Sequence, residues 1–114
     1  MMEINGTYDL KIETPLGEKY ATLLLEVEGT TISGSFITKN SSSPISGTTS
    51  GNEINFETTI TVAPLGKITA RIIGKIEDQK LIAESKLMFA VAKITGLKTY
   101  QFFLYSVIFS FILS

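Results

Sequence analysis

The chain has 114 residues, the length of one domain with a single modest hydrophobic core. Ten basic and eleven acidic residues give a net charge of −1, and neither sign is clustered. Because a nucleic-acid-binding surface shows a basic patch or stripe, we expect no nucleic acid among its partners. The chain contains no cysteine, histidine or tryptophan, which excludes disulfides, the usual zinc sites and cysteine- or histidine-based nucleophiles.

Alternation of apolar and polar residues, interrupted by turn residues about every ten positions, predicts antiparallel β-strands through most of the chain. In chain order the predicted strands span 4–14, 19–28, 31–39, 43–50, 53–62, 67–77, 80–88 and 90–98. In the second strand Ala21, Leu23 and Leu25 share one face, as expected for a sheet with one dry side. Consecutive hairpins favour closure, so we predict an up-and-down barrel of about eight strands, with a Greek-key sandwich as the alternative.

The two halves of the predicted domain resemble each other. Pro15-Leu16-Gly17 recurs as Pro64-Leu65-Gly66, 49 positions later. The same offset aligns Ala21 with Ala70, each in a strand that follows the repeated turn. We therefore predict an internal repeat of two four-strand halves. Chance similarity between two hairpins with the same turn is the alternative.

The predicted barrel domain covers residues 1–99, and residues 100–114 form an apolar tail. Eleven of these fifteen residues are apolar or aromatic, and none is charged. As a helix they would reach about 22 Å, short of the roughly 30 Å hydrocarbon core, so we expect no complete transmembrane span. Three interpretations stay open: a segment that packs on the barrel or mediates self-association, a short membrane anchor, or a non-native extension.

Few residues offer chemistry. The carboxylates are dispersed over predicted polar faces and turns, and no spacing specifies an acid–base pair. Ser41-Ser42-Ser43 has no histidine to act as its base, and no GK[ST] motif follows Gly47. We therefore predict a non-enzymatic protein with no catalytic residue, metal site or cofactor. The first residues show no secretory signal, so we expect a cytoplasmic protein, membrane-associated only if residues 100–114 are an anchor.

Short motifs between residues 5 and 98 resemble those of small lipocalin-like or calycin-like β-barrel proteins, many of them of uncharacterised function. The motifs are Gly6-Thr7-Tyr8-Asp9-Leu10, Thr14-Pro15-Leu16-Gly17, Ile32-Ser33-Gly34-Ser35 and Thr95-Gly96-Leu97-Lys98. In that family Gly-x-Trp opens the first strand, and a basic residue of the last strand packs across the Trp. The resemblance implies that Tyr8 takes the place of the Trp and that Lys98 is its basic partner through a cation–π contact. The resemblance implies a barrel and hydrophobic-ligand binding, and it transfers no catalytic residue.

A ligand site in the interior would be lined by apolar side chains of the dry face. The candidates are Leu10, Ile12, Leu23, Leu25, Phe36, Phe56 and Ile72. Small residues on that face (Gly34, Ala70, Gly74 and Ala83) would leave room for the ligand, unless larger side chains opposite fill the space. The predicted function is binding of a small hydrophobic ligand in the interior. The alternative is a structural, self-associating or membrane-tethered accessory domain that uses the apolar tail.

Overall fold

The computed structural model describes residues 4–15, 17–62, 66–86 and 90–99. Eight β-strands follow one another: β1 (Gly6–Thr14), β2 (Gly17–Glu28), β3 (Thr31–Ile37), β4 (Ser42–Ser50), β5 (Glu53–Val62), β6 (Gly66–Glu77), β7 (Lys80–Lys86) and β8 (Val91–Lys98). The predicted strands agree with these bounds to within two residues at each end. Residues 100–114, and with them the three interpretations of the tail, lie outside the described residues.

The eight strands form one closed antiparallel sheet. Each strand pairs with the next along the chain, and β1 also pairs with β8. This closure confirms the predicted up-and-down barrel and excludes the sandwich. The register shifts around the barrel. Stepping from a residue of β1 to its partner on each following strand in turn leads back to β1 about ten residues beyond the starting residue. Because of this stagger the strands are tilted against the barrel axis.

We call the end at which β1 begins the lower end, and the opposite end the upper end. Two-residue turns connect β2 to β3, β4 to β5 and β6 to β7 at the lower end. Gly29 (φ 63°) and Gly51 (φ 61°) take the first central position of two turns, and Asp78 and Gln79 both have positive φ in the third. These are the φ signs of type II′ and type I′ turns, whose twist matches that of the flanking strands.

Each lower turn is also tied to the strand after next. Three backbone hydrogen bonds of 2.9 Å follow one pattern, from Thr49 to Thr30, from Ile76 to Asn52 and from Lys98 to Gln79. The side chain of Asn5 does the same for the backbone N–H of Val27. These hydrogen bonds extend the pairing past the strand ends and connect neighbouring strands at the lower end of the barrel.

The core is the inner surface of the barrel, as the alternation predicts. Its largest fully buried side chains are Tyr8, Leu23, Ile32, Ile54, Phe56, Ile76 and Leu81. Neighbouring residues in the strands alternate between this core and the exposed outer surface, most regularly in β7 and β8. The fold thus places every inward side chain in one shared interior, where any ligand site inside the barrel must lie.

Candidate ligand-binding interior

The lower half of the interior is filled by large aliphatic side chains. Ile32, Ile54 and Leu81 are each the second residue of a strand that begins at the lower end, and all three are fully buried. Ile76, the next-to-last residue of β6, is equally buried. Because four strands contribute a large side chain one residue from the lower end, we call the interior around these residues the packed lower half.

Tyr8 completes the packed lower half. Its side chain is fully buried, and its hydroxyl donates a 2.8 Å hydrogen bond to the backbone carbonyl of Ile4. Lys98 is its registered partner in β8, and the Lys98 side chain lies against Gly6, where an added Cβ would meet Lys98 Cε at 2.6 Å. The structure therefore places Gly6, Tyr8 and Lys98, which belong to two of the four motifs of the family resemblance, next to one another. The cation–π contact itself stays a prediction.

The upper half of the interior is different, because small side chains occupy one wall. Thr58 of β5 pairs with Ala70 of β6, and Ser85 of β7 pairs with Ala92 of β8. Ser85 pairs with Ile72, which is the next inward residue after Ala70 on β6, so Ala70 and Ser85 are diagonal neighbours. All four are buried. We call these four residues on consecutive strands the small-residue set.

The wall opposite the small-residue set also carries a small side chain. In the ring of eight strands β2 lies across the interior from β6. Ala21 is the fifth residue of β2 from the upper end, Ala70 is the fifth residue of β6, and both are buried. Each of these two walls therefore has a buried alanine five residues from the upper end of its strand.

Polar groups in the interior are few and uncharged. The buried polar side chains of the described residues are those of Thr49, Thr58 and Ser85. Thr49 Oγ1 donates to the Glu53 carbonyl at 2.8 Å, and Thr58 Oγ1 donates to the Pro44 carbonyl at 3.1 Å. Ser85 Oγ is the only buried side-chain oxygen or nitrogen in the described residues that lacks a hydrogen-bond partner.

The structure places all seven predicted lining residues on the inner face, but at different depths. Ile72 pairs with Ser85 and so borders the small-residue set, whereas Leu10 pairs with Ala21 on the opposite wall. The depths of the others follow from their partners: Phe56 pairs with Ile72, Phe36 with Leu23, Ile12 with Ile94, and Leu25 with Gly6 at the lower end. Ile12 is half-buried, and the other six are buried. Only part of the predicted lining therefore faces the upper half.

The glycines predicted to leave room have another role. A Cβ on Gly34 would lie 1.9 Å from the Leu24 carbonyl oxygen, and a Cβ on Gly74 would lie 2.2 Å from that of Ile82. The neighbouring strand already occupies the space that a side chain would need. These glycines permit close approach of backbones in a tightly coiled sheet and leave no space for a ligand.

Sequence reasoning missed Ser85 and Ala92 as site residues, although a signal for Ser85 was present. The run from Leu81 to Ser85 alternates, so a strand with Leu81 and Ala83 inward must also turn Ser85 inward. A polar residue near a strand end was instead assigned no role. Ala92 becomes recognisable only through its pairing with Ser85.

One group of charged side chains on the outer surface interacts in solvent. Lys11, Glu18 and Tyr20 form an exposed cluster on β1 and β2, with Tyr20 Oη 3.0 Å from a Glu18 oxygen and Lys11 Nζ 3.3 Å from the other. The Tyr20 hydrogen bond first, and then Lys11, lower the pKa of the Glu18 carboxyl. In the described strands and turns, no three acidic, histidine or cysteine side chains stand close enough to hold a metal ion.

The outer surface of β6, β7 and β8 carries a diagonal row of exposed apolar side chains. Ile73 and Ile82 are diagonal neighbours on β6 and β7, and Ile82 and Leu97 on β7 and β8. All three are exposed. A broad open groove of about 800 Å³ includes Ile73 and Ile82 among its lining residues. We call these three residues the outer apolar row.

Comparison with known proteins adds no assignment. No family model matches the chain, and no curated protein matches it significantly. Within the described ranges, no helix has the length and hydropathy needed to cross a bilayer.

Proposed function

We propose that the protein is a non-enzymatic binding barrel that holds a small apolar ligand in the upper half of its interior. The small-residue set is the observation that carries the proposal. An eight-stranded barrel encloses a space that ordinary side chains just fill or that accepts one small ligand. Small inward side chains on four consecutive strands, with Ala70 and Ser85 as diagonal neighbours, favour the second arrangement in this half.

The surroundings of the small-residue set also suit an apolar ligand. Ile72 borders it, Phe56 pairs with Ile72 one strand away, and Leu10 pairs with Ala21 on the opposite wall. These buried apolar side chains would form the floor of the site, above the packed lower half. Transfer of apolar surface from water to such a floor is favourable by about 25 cal/mol per Å².

Filling the site tests the proposal. In the full chain, Ala70→Leu adds bulk at the centre of the small-residue set, and Thr69→Leu adds bulk on the exposed outer face of the same strand. We expect the intact protein to bind the apolar fluorophore 1-N-phenylnaphthylamine with a saturable signal. Ala70→Leu should weaken this binding about tenfold or more, while Thr69→Leu changes it less than about twofold.

Circular dichroism and thermal unfolding establish that each variant is folded, and Ala92→Val is the milder alternative if Ala70→Leu fails to fold. A wild-type protein that shows no saturable fluorescence increase would refute the proposal. Equal affinity in wild type and both filling variants would place the probe elsewhere and refute it as well.

A second candidate function is self-association, favoured by the outer apolar row. Exposed isoleucine and leucine side chains lie diagonally across three adjacent strands, and large exposed apolar side chains can mark a surface that an interface covers. We propose a second copy of this chain as the partner. The apolar tail was the predicted interface, and its residues lie outside the described part of the chain.

A charge placed in the outer apolar row tests self-association. By sedimentation velocity we expect the wild type to form a dimer, Ile82→Lys to be monomeric, and Thr69→Lys, outside the row on the same surface, to remain dimeric. Burial of a lysine in an apolar interface is costly without a partner charge. A monomeric wild type, or a dimer that tolerates Ile82→Lys, excludes this surface as the interface.

A further inference from the structure

Ser85 is the one buried hydroxyl of the barrel for which the described residues offer no hydrogen-bond partner. It is 4% exposed and lies on the inner face of β7, closer to the upper end than the inward-facing Leu81 and Ala83. Its registered neighbours, Ile72 and Ala92, have no polar side-chain atoms. A hydroxyl in this position is desolvated without compensation, and such groups call for an explanation.

Other buried hydroxyls show that this barrel can satisfy such groups internally. Tyr8, Thr49 and Thr58 each donate to a backbone carbonyl within 3.1 Å. Thr58 belongs to the same small-residue set as Ser85, so lack of a partner is a property of Ser85 and not of this level of the barrel. Ser85 thus has a donor and an acceptor that no described residue engages.

We propose that the Ser85 hydroxyl binds the polar group of the ligand, and that the ligand is an uncharged amphiphile with one hydroxyl or carbonyl group on an apolar body. This inference rests on the proposed binding function and names the class of ligand for the same site. The apolar body contacts the alanines of the small-residue set and the floor formed by Leu10 and Ile72. The single polar group replaces the partner that Ser85 lacks.

The lack of buried charge defines the ligand as uncharged. Among the described residues the buried polar side chains are hydroxyls only, and none is cationic. A carboxylate beside Ser85 would be removed from water with one hydroxyl as its neutral donor, which does not offset the loss of hydration. A neutral hydroxyl or carbonyl needs only the one hydrogen bond that Ser85 supplies.

Three probes of equal chain length test the inference: 1-octanol, octanoate at pH 8 and n-octane, each competing with 1-N-phenylnaphthylamine for the full-length protein. Two variants are compared with the wild type. Ser85→Ala removes the unpartnered hydroxyl, and Thr49→Val removes a buried hydroxyl of the lower half that is already bonded to Glu53. Comparison of the same probe between variants cancels differences in hydrophobicity among the probes.

We expect Ser85→Ala to weaken octanol binding about five- to tenfold and to leave octane binding within about twofold. Thr49→Val should leave the ratio of octanol to octane affinities unchanged, and octanoate should compete less well than octanol in the wild type. If octanol and octane both compete but Ser85→Ala alters neither, this inference is wrong and the binding proposal stands. If octanoate matches octanol, the ligand class is wrong. If fluorophore, octanol and octane all fail to bind, the proposed function itself fails.

Discussion

The two halves of the barrel interior differ in what fills them. At the lower end, isoleucine and leucine side chains from four strands fill the interior, and backbone hydrogen bonds connect the turns to neighbouring strands. In the upper half, alanine, serine and threonine occupy four consecutive strands. The two halves of one sheet therefore differ in the size of their inward side chains. The large side chains of the lower half supply buried apolar surface to a small domain that has no disulfide, and the small side chains of the upper half are the basis of the proposed ligand site.

The largest effect we expect comes from the packed lower half. Leu81→Ala removes a fully buried side chain that is surrounded by core residues. It should lower the free energy of unfolding by about 3–4 kcal/mol, from lost transfer energy and the cavity left behind. Equilibrium unfolding in urea measures this change. A loss below about 1 kcal/mol would contradict the proposed difference in packing between the two halves, because it would indicate that the lower half is loosely packed.

A second test concerns the close approach of strands. A Cβ on Gly47 would lie 2.0 Å from the backbone oxygen of Asn55, whereas a Cβ on Gly96 would first meet the end of the Leu10 side chain at 2.6 Å. Backbone atoms in a closed sheet cannot move independently, but a leucine rotamer can. Gly47→Ala should therefore destabilise by about 2–3 kcal/mol and Gly96→Ala by about 1 kcal/mol. Equal losses, measured by urea unfolding, would show that the sheet yields as easily as a side chain.

The hydroxyl of Tyr8 allows a finer test of the lower end. Tyr8→Phe removes the hydrogen bond to Ile4 and leaves a carbonyl without that partner. We expect a loss of about 1 kcal/mol in unfolding free energy and no change in fluorophore affinity, because the proposed site lies in the other half. Tyr20→Phe, on the exposed surface of β2, is the matched control and should be near neutral in stability. Weakened probe binding in Tyr8→Phe would show that the two halves are coupled.

Sequence alone predicted the fold well because its main signals are local. Alternation in β2 and β6, and turn residues such as Gly29 and Gly51, specify hairpins without knowledge of distant contacts. Consecutive hairpins then leave few ways to bury one dry face, and closure is one of them. The internal repeat and the family resemblance stay predictions.

The candidate site was less predictable because it depends on register. Alternation places Leu10 and Ile72 on the inner face, but only the register shows that Ile72 lies beside Ser85 and Leu10 beside Ala21. Gly34 and Gly74 were interpreted as sources of space, although backbone of the adjacent strand fills it. Side-chain size can be read from sequence, whereas the distance between neighbouring strands cannot.

The smallest effect lies on the outer surface near the upper end, where Lys11, Glu18 and Tyr20 interact in solvent. The Tyr20 hydrogen bond is the largest cause that lowers the pKa of Glu18, so Tyr20→Phe should raise that pKa toward its ordinary value. Lys11→Met should raise it less. An NMR titration of the Glu18 carboxyl carbon measures both shifts.

The sign of the linked stability follows from the lowered pKa of Glu18. Because the folded-state pKa lies below the unfolded value, the cluster stabilises the fold above the unfolded pKa, and this contribution is lost as the pH falls through the folded pKa. Its size is small, since all three side chains are exposed and screened by solvent. In Tyr20→Phe the acid limb of the stability curve should therefore flatten slightly, without any change at the lower end. A Glu18 pKa that is the same in wild type and Tyr20→Phe would show that the hydrogen bond is not formed in solution. The inward side chains would then be the remaining difference between the lower and upper halves.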